Sequence, residues 1–369
     1  MRIAIDARLN AYREGGIAEY TRRIVTELSR LDSPEMYLIL EHAKTQTSLI
    51  PVGVKGMKAI RVFTPPHHRF ERTAFALEVT RTRPRILHSP DFIPPRFGAR
   101  HYVITVHDLN FLHFPQFQTP DSLAYYKGNI QQAVNQADCI LADSEATRRD
   151  LHHMLNTPLE KIKVHLLGVP ENFRPLPQEQ VDAFRVRYHL PREYILFVGT
   201  FEPRKNLPGL LNAYQQLHQI MPDAPPLVIA GRRGWLFESI FEQVTSLGLR
   251  DQVRWLEDVP AADLPSLYNA ASVLTLPSFY EGFGFPVLEA MACGIPTVAS
   301  DRGSLPEVAG DTGILINPDH PDQIAEALHL ALTDSTFRAR SSAAGLVRAG
   351  QFTWARTAQV VSEVYRSLG

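Results

Sequence analysis

Short, nearly continuous apolar runs recur along the whole chain, and between them apolar side chains return at helical spacing. Such runs, bounded by turn residues, read as strands. In the first half they fall at residues 2–6, 37–40, 58–62, 86–88, 102–106, 139–142 and 162–165. The second half offers 194–198, 227–230, 253–256, 271–276, 297–299 and 313–316. Helices are predicted between them, for example over 16–29, 123–136, 207–219 and 322–333. Strands alternating with helices imply an α/β fold with parallel sheets covered on both faces. Two such series imply two doubly wound domains. Gly and Pro accumulate over residues 168–177, GVPENFRPLP, and the periodicity stops there. A boundary is therefore expected near residue 170, giving domains over 1–170 and 171–352. A ligand is expected in a cleft at the carboxyl ends of the two sheets.

Length and composition agree with this picture. At 369 residues the chain exceeds what one hydrophobic core usually supports. Its apolar (44%) and charged (21%) fractions are those of an ordinary soluble globular protein. No apolar run approaches the ~18 residues of a membrane span. The opening residues MRIAIDARLN read as a strand carrying an acid, not as a signal peptide. Cys139 and Cys293 lie far apart in apolar surroundings, outside any metal-spaced cluster, and read as buried thiols in a reducing compartment. The expected location is cytoplasmic.

Net charge is close to zero, but the halves differ. Residues 1–172 hold 22 basic against 18 acidic side chains, and the remainder 16 against 21. Part of the N-terminal excess gathers at Arg69, Arg72, Arg81, Arg83 and Arg85. This stripe fits either a solvated surface or attraction to anionic lipid headgroups or a phosphorylated acceptor. Peripheral contact with the inner face of a membrane is left open, and no nucleic-acid partner is expected.

The richest chemistry lies in residues 278–310, SFYEGFGFPVLEAMACGIPTVASDRGSLPEVAG. Two carboxylates, Glu281 and Glu289, flank a turn of Gly282, Phe283 and Gly284, which leads through Phe285, Pro286 and Val287 into an apolar helix. Glycine permits close backbone approach to a ligand. Pro in the first turn favours a helix start whose N–H groups suit phosphate. Acids beside an anion site suggest a ligand with both phosphate and hydroxyls, hence a nucleotide sugar. The strand at 195–198 runs into Gly199, Thr200 and then Arg204-Lys205, a basic pair suited to diphosphate.

The run EGFGFPVLEA, from Glu281 to Ala290, resembles the donor signature of the retaining GT-B glycosyltransferases of the family 4, or group 1, type. The sequence ACGIPTVAS follows it directly, as the next strand does in that family. The resemblance implies the GT-B fold, with two Rossmann-like domains facing across a cleft. It places the acceptor in the first domain, completed by a C-terminal helix over 353–369, and the donor in the second. It implies that Glu281 contacts the donor sugar and Glu289 the nucleotide ribose, while the amides from Phe283 to Val287 cradle phosphate with Lys205. Many members carry Gly-Arg where this chain has Gly199-Thr200. The phosphate role is therefore carried to Arg204 and Lys205, Lys205 being the firmer assignment and Arg204 having an interdomain surface as its other reading.

Further residues follow from the same resemblance. Gly231 is expected to let the backbone approach the donor, with Arg232 beside it either on phosphate or in a solvated turn. The nucleobase is expected to pack near 255–260. Gly15-Gly16, in the loop with Tyr12 and Arg13, allows backbone approach from the first domain, and no G-x-G-x-x-G follows that strand. His107 is expected to hydrogen-bond the transferred sugar, with Asp108 orienting it, touching the acceptor or capping a segment. Residues 88–91 are expected to line the acceptor side. His67-His68 and His152-His153 lack a carboxylate or Cys at ligand spacing and read as surface histidines.

The chain has no Walker A motif, nucleophile elbow, H-E-x-x-H or Asp-x-Asp. A metal-free reaction without cofactor is expected, the leaving diphosphate being stabilised by Arg204, Lys205 and a helix N-terminus. The donor form E-P-R-K-N with A-G-R-R-G-W is similar to bacterial mannosyltransferases using GDP-mannose. UDP- and dTDP-sugars are the alternatives, and a glycan or lipid-linked acceptor is the family-level expectation. Rival readings are a non-hydrolysing nucleotide-sugar epimerase of the same fold and a non-catalytic nucleotide-sugar-binding protein.

Overall fold

The computed structural model describes residues 1–12 and 15–369. The chain divides into one unit of Met1–Gly168 with Thr353–Gly369 and a second of Val169–Phe352. Among the described residues no helix is long and apolar enough to cross a membrane.

The first unit is built on β1 (Arg2–Asp6), β2 (Met36–His42), β3 (Met57–Val62), β4 (Ile86–Ser89), β5 (His101–Val106), β6 (Cys139–Ala142) and β7 (Ile162–Val164). They form one parallel sheet in the order β3-β2-β1-β4-β5-β6-β7. Near-continuous apolar strands such as Ile3-Ala4-Ile5 are fully buried, as a sheet covered on both faces requires. Helix Pro120–Gln136 starts three residues before the predicted 123, because Thr119 caps it by accepting from the Ser122 N–H and Pro120 suits its first turn. The final helix, Trp354–Ser367, packs on helix Gly16–Leu28 and donates from Thr357 Oγ1 to the Leu166 carbonyl at 2.7 Å.

The second unit contains β8 (Ile195–Val198), β9 (Leu227–Gly231), β10 (Val253–Glu257), β11 (Val273–Leu276), β12 (Thr297–Ser300) and β13 (Ile314–Ile316). Their parallel order is β10-β9-β8-β11-β12-β13. Each sheet therefore reverses its order once, between β1 and β4 and between β8 and β11. At such a reversal the following loops part in opposite directions, which opens a crevice at the strands' carboxyl ends.

Candidate active site

At the β8/β11 reversal the loop after β8 tightens into a 3-10 turn at Pro203–Lys205. It is tied to the loop after β11 by the Phe279 N–H, which donates to the Arg204 carbonyl at 2.9 Å. Both cations converge on one acid. Lys205 Nζ donates to Glu281 Oε1 at 2.6 Å and Arg204 Nη1 to Glu281 Oε2 at 2.7 Å. Ser278 Oγ adds a 2.7 Å bond to Oε1, and Arg204 Nη2 reaches Glu202 Oε1 at 2.6 Å. Glu281 and Lys205 are buried. Burial would raise the Glu281 carboxyl, but the charges of Arg204 and Lys205, with the hydrogen bonds from Lys205 and Ser278, hold it at about 2. Burial lowers the Lys205 ammonium, Arg204 adds to that, and Glu281 opposes both.

Gly284 opens helix Phe285–Ala292 in the left-handed region at φ 98°, where a Cβ would also strike Leu305 Cδ2 at 2.5 Å. The Pro286 start is as expected, but the anion cradle is smaller. Pro286 has no N–H, and the Val287 N–H donates to the Gly284 carbonyl at 3.1 Å, closing the first turn. The amides of Phe283 and Gly284 remain as cradle candidates. The Phe283 ring is buried and packs edge-on against Phe285 and Phe352. Glu289, in the body of the helix, accepts from the buried Tyr268 hydroxyl at 2.6 Å. Gly231 has a structural reason of its own: a Cβ there would meet the Gly199 carbonyl at 1.9 Å, so the adjoining ends of β8 and β9 demand it.

At the β1/β4 reversal a pocket is lined by Asp6, Arg8, Ile17, His67, Glu71 and Asp91. The fully buried Arg8 organises it, gripping Asp6 through Nε at 2.9 Å and Nη2 at 2.7 Å, and Glu71 at 2.7 Å. Glu71 also accepts from the Tyr125 hydroxyl and the His67 N–H, both at 2.7 Å. His67 is thus not a plain surface residue. Its Nε2 meets Asp91 Oδ2 at 2.5 Å, and its backbone is left-handed at φ 60°, a conformation that costs of order 1 kcal/mol. Asp91 lies 24 positions further on, so local spacing could not reveal it. His68 and His153 are exposed, while His152 is half-buried and bonds the Thr157 carbonyl.

Behind this pocket runs a buried chain whose donors can be assigned one by one. His165 Nδ1 faces the Ala142 carbonyl and must donate, so Nε2 accepts from Tyr20 O–H at 2.9 Å. Tyr20 then accepts from Thr105, Thr105 from His88 Nε2, and His88 Nδ1 from Tyr365 O–H at 2.6 Å. Both histidines are neutral in this scheme. Burial, reinforced by the neighbouring histidines, lowers His88 to about 3, and burial also lowers His165 although Asp143 opposes it.

His107 differs. Its Nε2 donates to the Pro90 carbonyl at 3.0 Å and its Nδ1 meets Asp143 Oδ2 at 2.7 Å. Burial works against the charged ring, but Asp143 outweighs it and raises the imidazole. As they stand, neither nitrogen is open to a sugar hydroxyl. The ring instead holds Pro90, and with it the Asp91 wall of the pocket. Asp108 Oδ1 accepts from the Asn110 N–H, one of the readings its position allowed. Gly16 begins its helix where, among the described residues, nothing beyond its chain neighbours and its own helix backbone lies within 4 Å of where a Cβ would stand, whereas Arg13 lies outside the described residues.

Two family profiles cover most of the chain: glycosyl transferases group 1 over residues 181–347, and glycosyltransferase family 4 over residues 14–173. The chain is 36% identical over 285 residues to the O-antigen chain mannosyltransferase B of Escherichia coli, covering 77% of this chain and 74% of that protein. It belongs to the glycosyl transferase group 1 family. A second relative, the serotype-specific mannosyltransferase WbdA of Escherichia coli, is 31% identical over 253 residues, covering 68% of this chain and 31% of that protein. The GT-B fold is seen in Anabaena HepE, solved with UDP-glucose, which superposes over the full length of both chains with a TM-score of 0.78 at 18% identity. The chain is thus a glycosyltransferase of the hexosyltransferase type.

The Arg204, Lys205 and Glu281 of this group 1 chain were legible as candidates, but their direct union was not. Ser278 and Tyr268, which fix the two acids, were missed. Ser278 could have been found, since it sits three positions before Glu281 just beyond a strand end. Arg8 and Glu71 were missed because they are separated by 63 positions and each looks like an ordinary surface charge in sequence.

Proposed function

We propose that this glycosyltransferase moves mannose from GDP-mannose to a hydroxyl of a glycan or lipid-linked acceptor, with retention of configuration and without a metal. The observation that carries the reading is the convergence of Lys205 and Arg204 on Glu281 at the β8/β11 crevice. A diphosphate arriving there competes with Glu281 for two cations already desolvated and aimed, the arrangement that best stabilises charge on a leaving group. Glu281 then turns an oxygen to the donor sugar hydroxyls, and Glu289, oriented by Tyr268, takes the ribose hydroxyls. Mannose is favoured as donor sugar by the likeness to mannosyltransferases. Metal independence is supported by the lack of Asp-x-Asp and by cations at the phosphate position.

The glycosidic C–O bond breaks with its electron pair going to the β-phosphate. The acceptor hydroxyl attacks the face being vacated and gives its proton to a phosphate oxygen. The acceptor is assigned to the Asp6–Arg8–Asp91 pocket, whose carboxylates suit sugar hydroxyls. His107 acts as a positioning residue through Pro90.

Release of nucleoside diphosphate tests the assignment. Lys205→Ala and Glu289→Ala are each expected to lower turnover by roughly a hundredfold or more while the fold remains, and near-wild-type turnover in either sinks the role given to it. EDTA is expected to leave turnover unchanged. In a binding panel GDP-mannose is expected to outrank UDP- and dTDP-sugars.

A further inference from the structure

The turn after β12 lies against Glu281 in the loop after β11. Gly303 sits there in the left-handed region at φ 61°, and a Cβ on it would stand 2.6 Å from the Glu281 carbonyl oxygen and 3.0 Å from its amide nitrogen. Only glycine lets two backbones approach so closely. The next residue, the fully buried Ser304, donates to that same carbonyl twice, through its N–H at 3.1 Å and its Oγ at 3.0 Å. Ser304 stands at the N-cap of helix Leu305–Ala309, yet its hydroxyl does not cap that helix, the usual use of a serine there. It is spent on Glu281 instead.

This short helix is fixed at both ends. At its start the fully buried Leu305 fills the space beside Gly284. At its end Arg348 donates to the carbonyls of Val308 at 2.6 Å and Glu307 at 2.5 Å, a cation placed where the last carbonyls of a helix gather negative potential. Helix Ser335–Ala349, which carries Arg348, packs in turn on helix Phe285–Ala292. One helix of five residues therefore braces both the acid and the glycine turn of the donor loop.

Glu281 is thus gripped in two places. Arg204, Lys205 and Ser278 hold its carboxylate, and Ser304 holds its backbone. A diphosphate that takes over the two cations removes most of the first grip and none of the second. We infer that Ser304 is a positioning residue, keeping Glu281 aimed at the donor sugar once Arg204 and Lys205 have turned to phosphate. The inference rests on the role given to Glu281 above. The brace matters most in the loaded enzyme, where a contact misplaced by about 1 Å costs up to roughly a hundredfold.

The test compares the full chain's affinity for the sugar nucleotide that binds best in the panel above with its affinity for the matching nucleoside diphosphate. Their ratio isolates the sugar contacts. Glu281→Gln is expected to lower the ratio roughly tenfold. Ser304→Ala is expected to lower it roughly fivefold, with nucleoside diphosphate affinity within about twofold of the parent's. Added to Glu281→Gln, Ser304→Ala is expected to lower it by less than about a further twofold, because it acts through Glu281. An unchanged ratio in Ser304→Ala overturns the proposal and leaves the Glu281 assignment standing. Equal weakening of both ligands does the same, since it marks a general structural role, and so does full additivity in the double variant. An unchanged ratio in Glu281→Gln overturns both.

Discussion

At the strand-order reversal of the second unit, Arg204, Lys205, Glu202 and Glu281 meet as full charges. Behind the corresponding reversal of the first unit, His88, Thr105, Tyr20 and His165 are linked as neutral groups. A neutral chain with every donor assigned fixes strand ends and helix without the desolvation cost of burying charge. A buried charged cluster is costly to assemble, yet its cations can be handed to an arriving anion. The contrast lies between the neutral chain and the charged cluster, not between whole units, since the first unit also buries Arg8 against Asp6 and Glu71.

The contrast can be broken most sharply at Glu281. Glu281→Ala leaves Lys205 and Arg204 without their shared acid, and is expected to cost on the order of 3–5 kcal/mol in denaturant unfolding, along with loss of transfer. Acid separates the two regions more gently. The Glu281 carboxyl is held at about 2, below its ordinary 4.5, so its contribution is complete above about 4.5 and is lost as pH falls toward 2. His88 is held near 3, below its ordinary 6.5. There the unfolded chain takes up the proton first, so the penalty begins near pH 6.5 and grows down to about 3. Melting temperature against pH should therefore lose one slope in Glu281→Gln and a different, earlier one in His88→Gln. An unchanged profile in both variants would remove the distinction. The smallest effect is expected from Tyr365→Phe, which leaves His88 Nδ1 without its donor at a cost of about 1–3 kcal/mol, read by thermal melting.

The central strands were legible because each is a short apolar run of a parallel sheet buried on both faces, and the donor loop because its acids, glycines and Pro are adjacent in sequence. The first unit's pocket was not, since Arg8, His67, Glu71, Asp91 and Tyr125 meet only through the tertiary fold. Local pattern also overstated the anion cradle. It showed that a helix begins at Pro286, but not that the Val287 amide is taken by the first turn. Helix Glu71–Thr82 is poorly marked in sequence for a related reason: Leu77 and Phe70 blur the division between its buried and exposed faces.

The first unit begins with β1 at Arg2 and is completed by Trp354–Ser367, whose Tyr365 closes the His88 chain. During synthesis the intervening unit, Val169–Phe352, is therefore finished before the unit that precedes it. The usual N-to-C order of domain maturation is inverted. Until the last helix emerges from the ribosome, the first unit lacks the cover over Tyr20 and His88. The interval before that helix appears is thus when the nascent enzyme is most dependent on protection from aggregation.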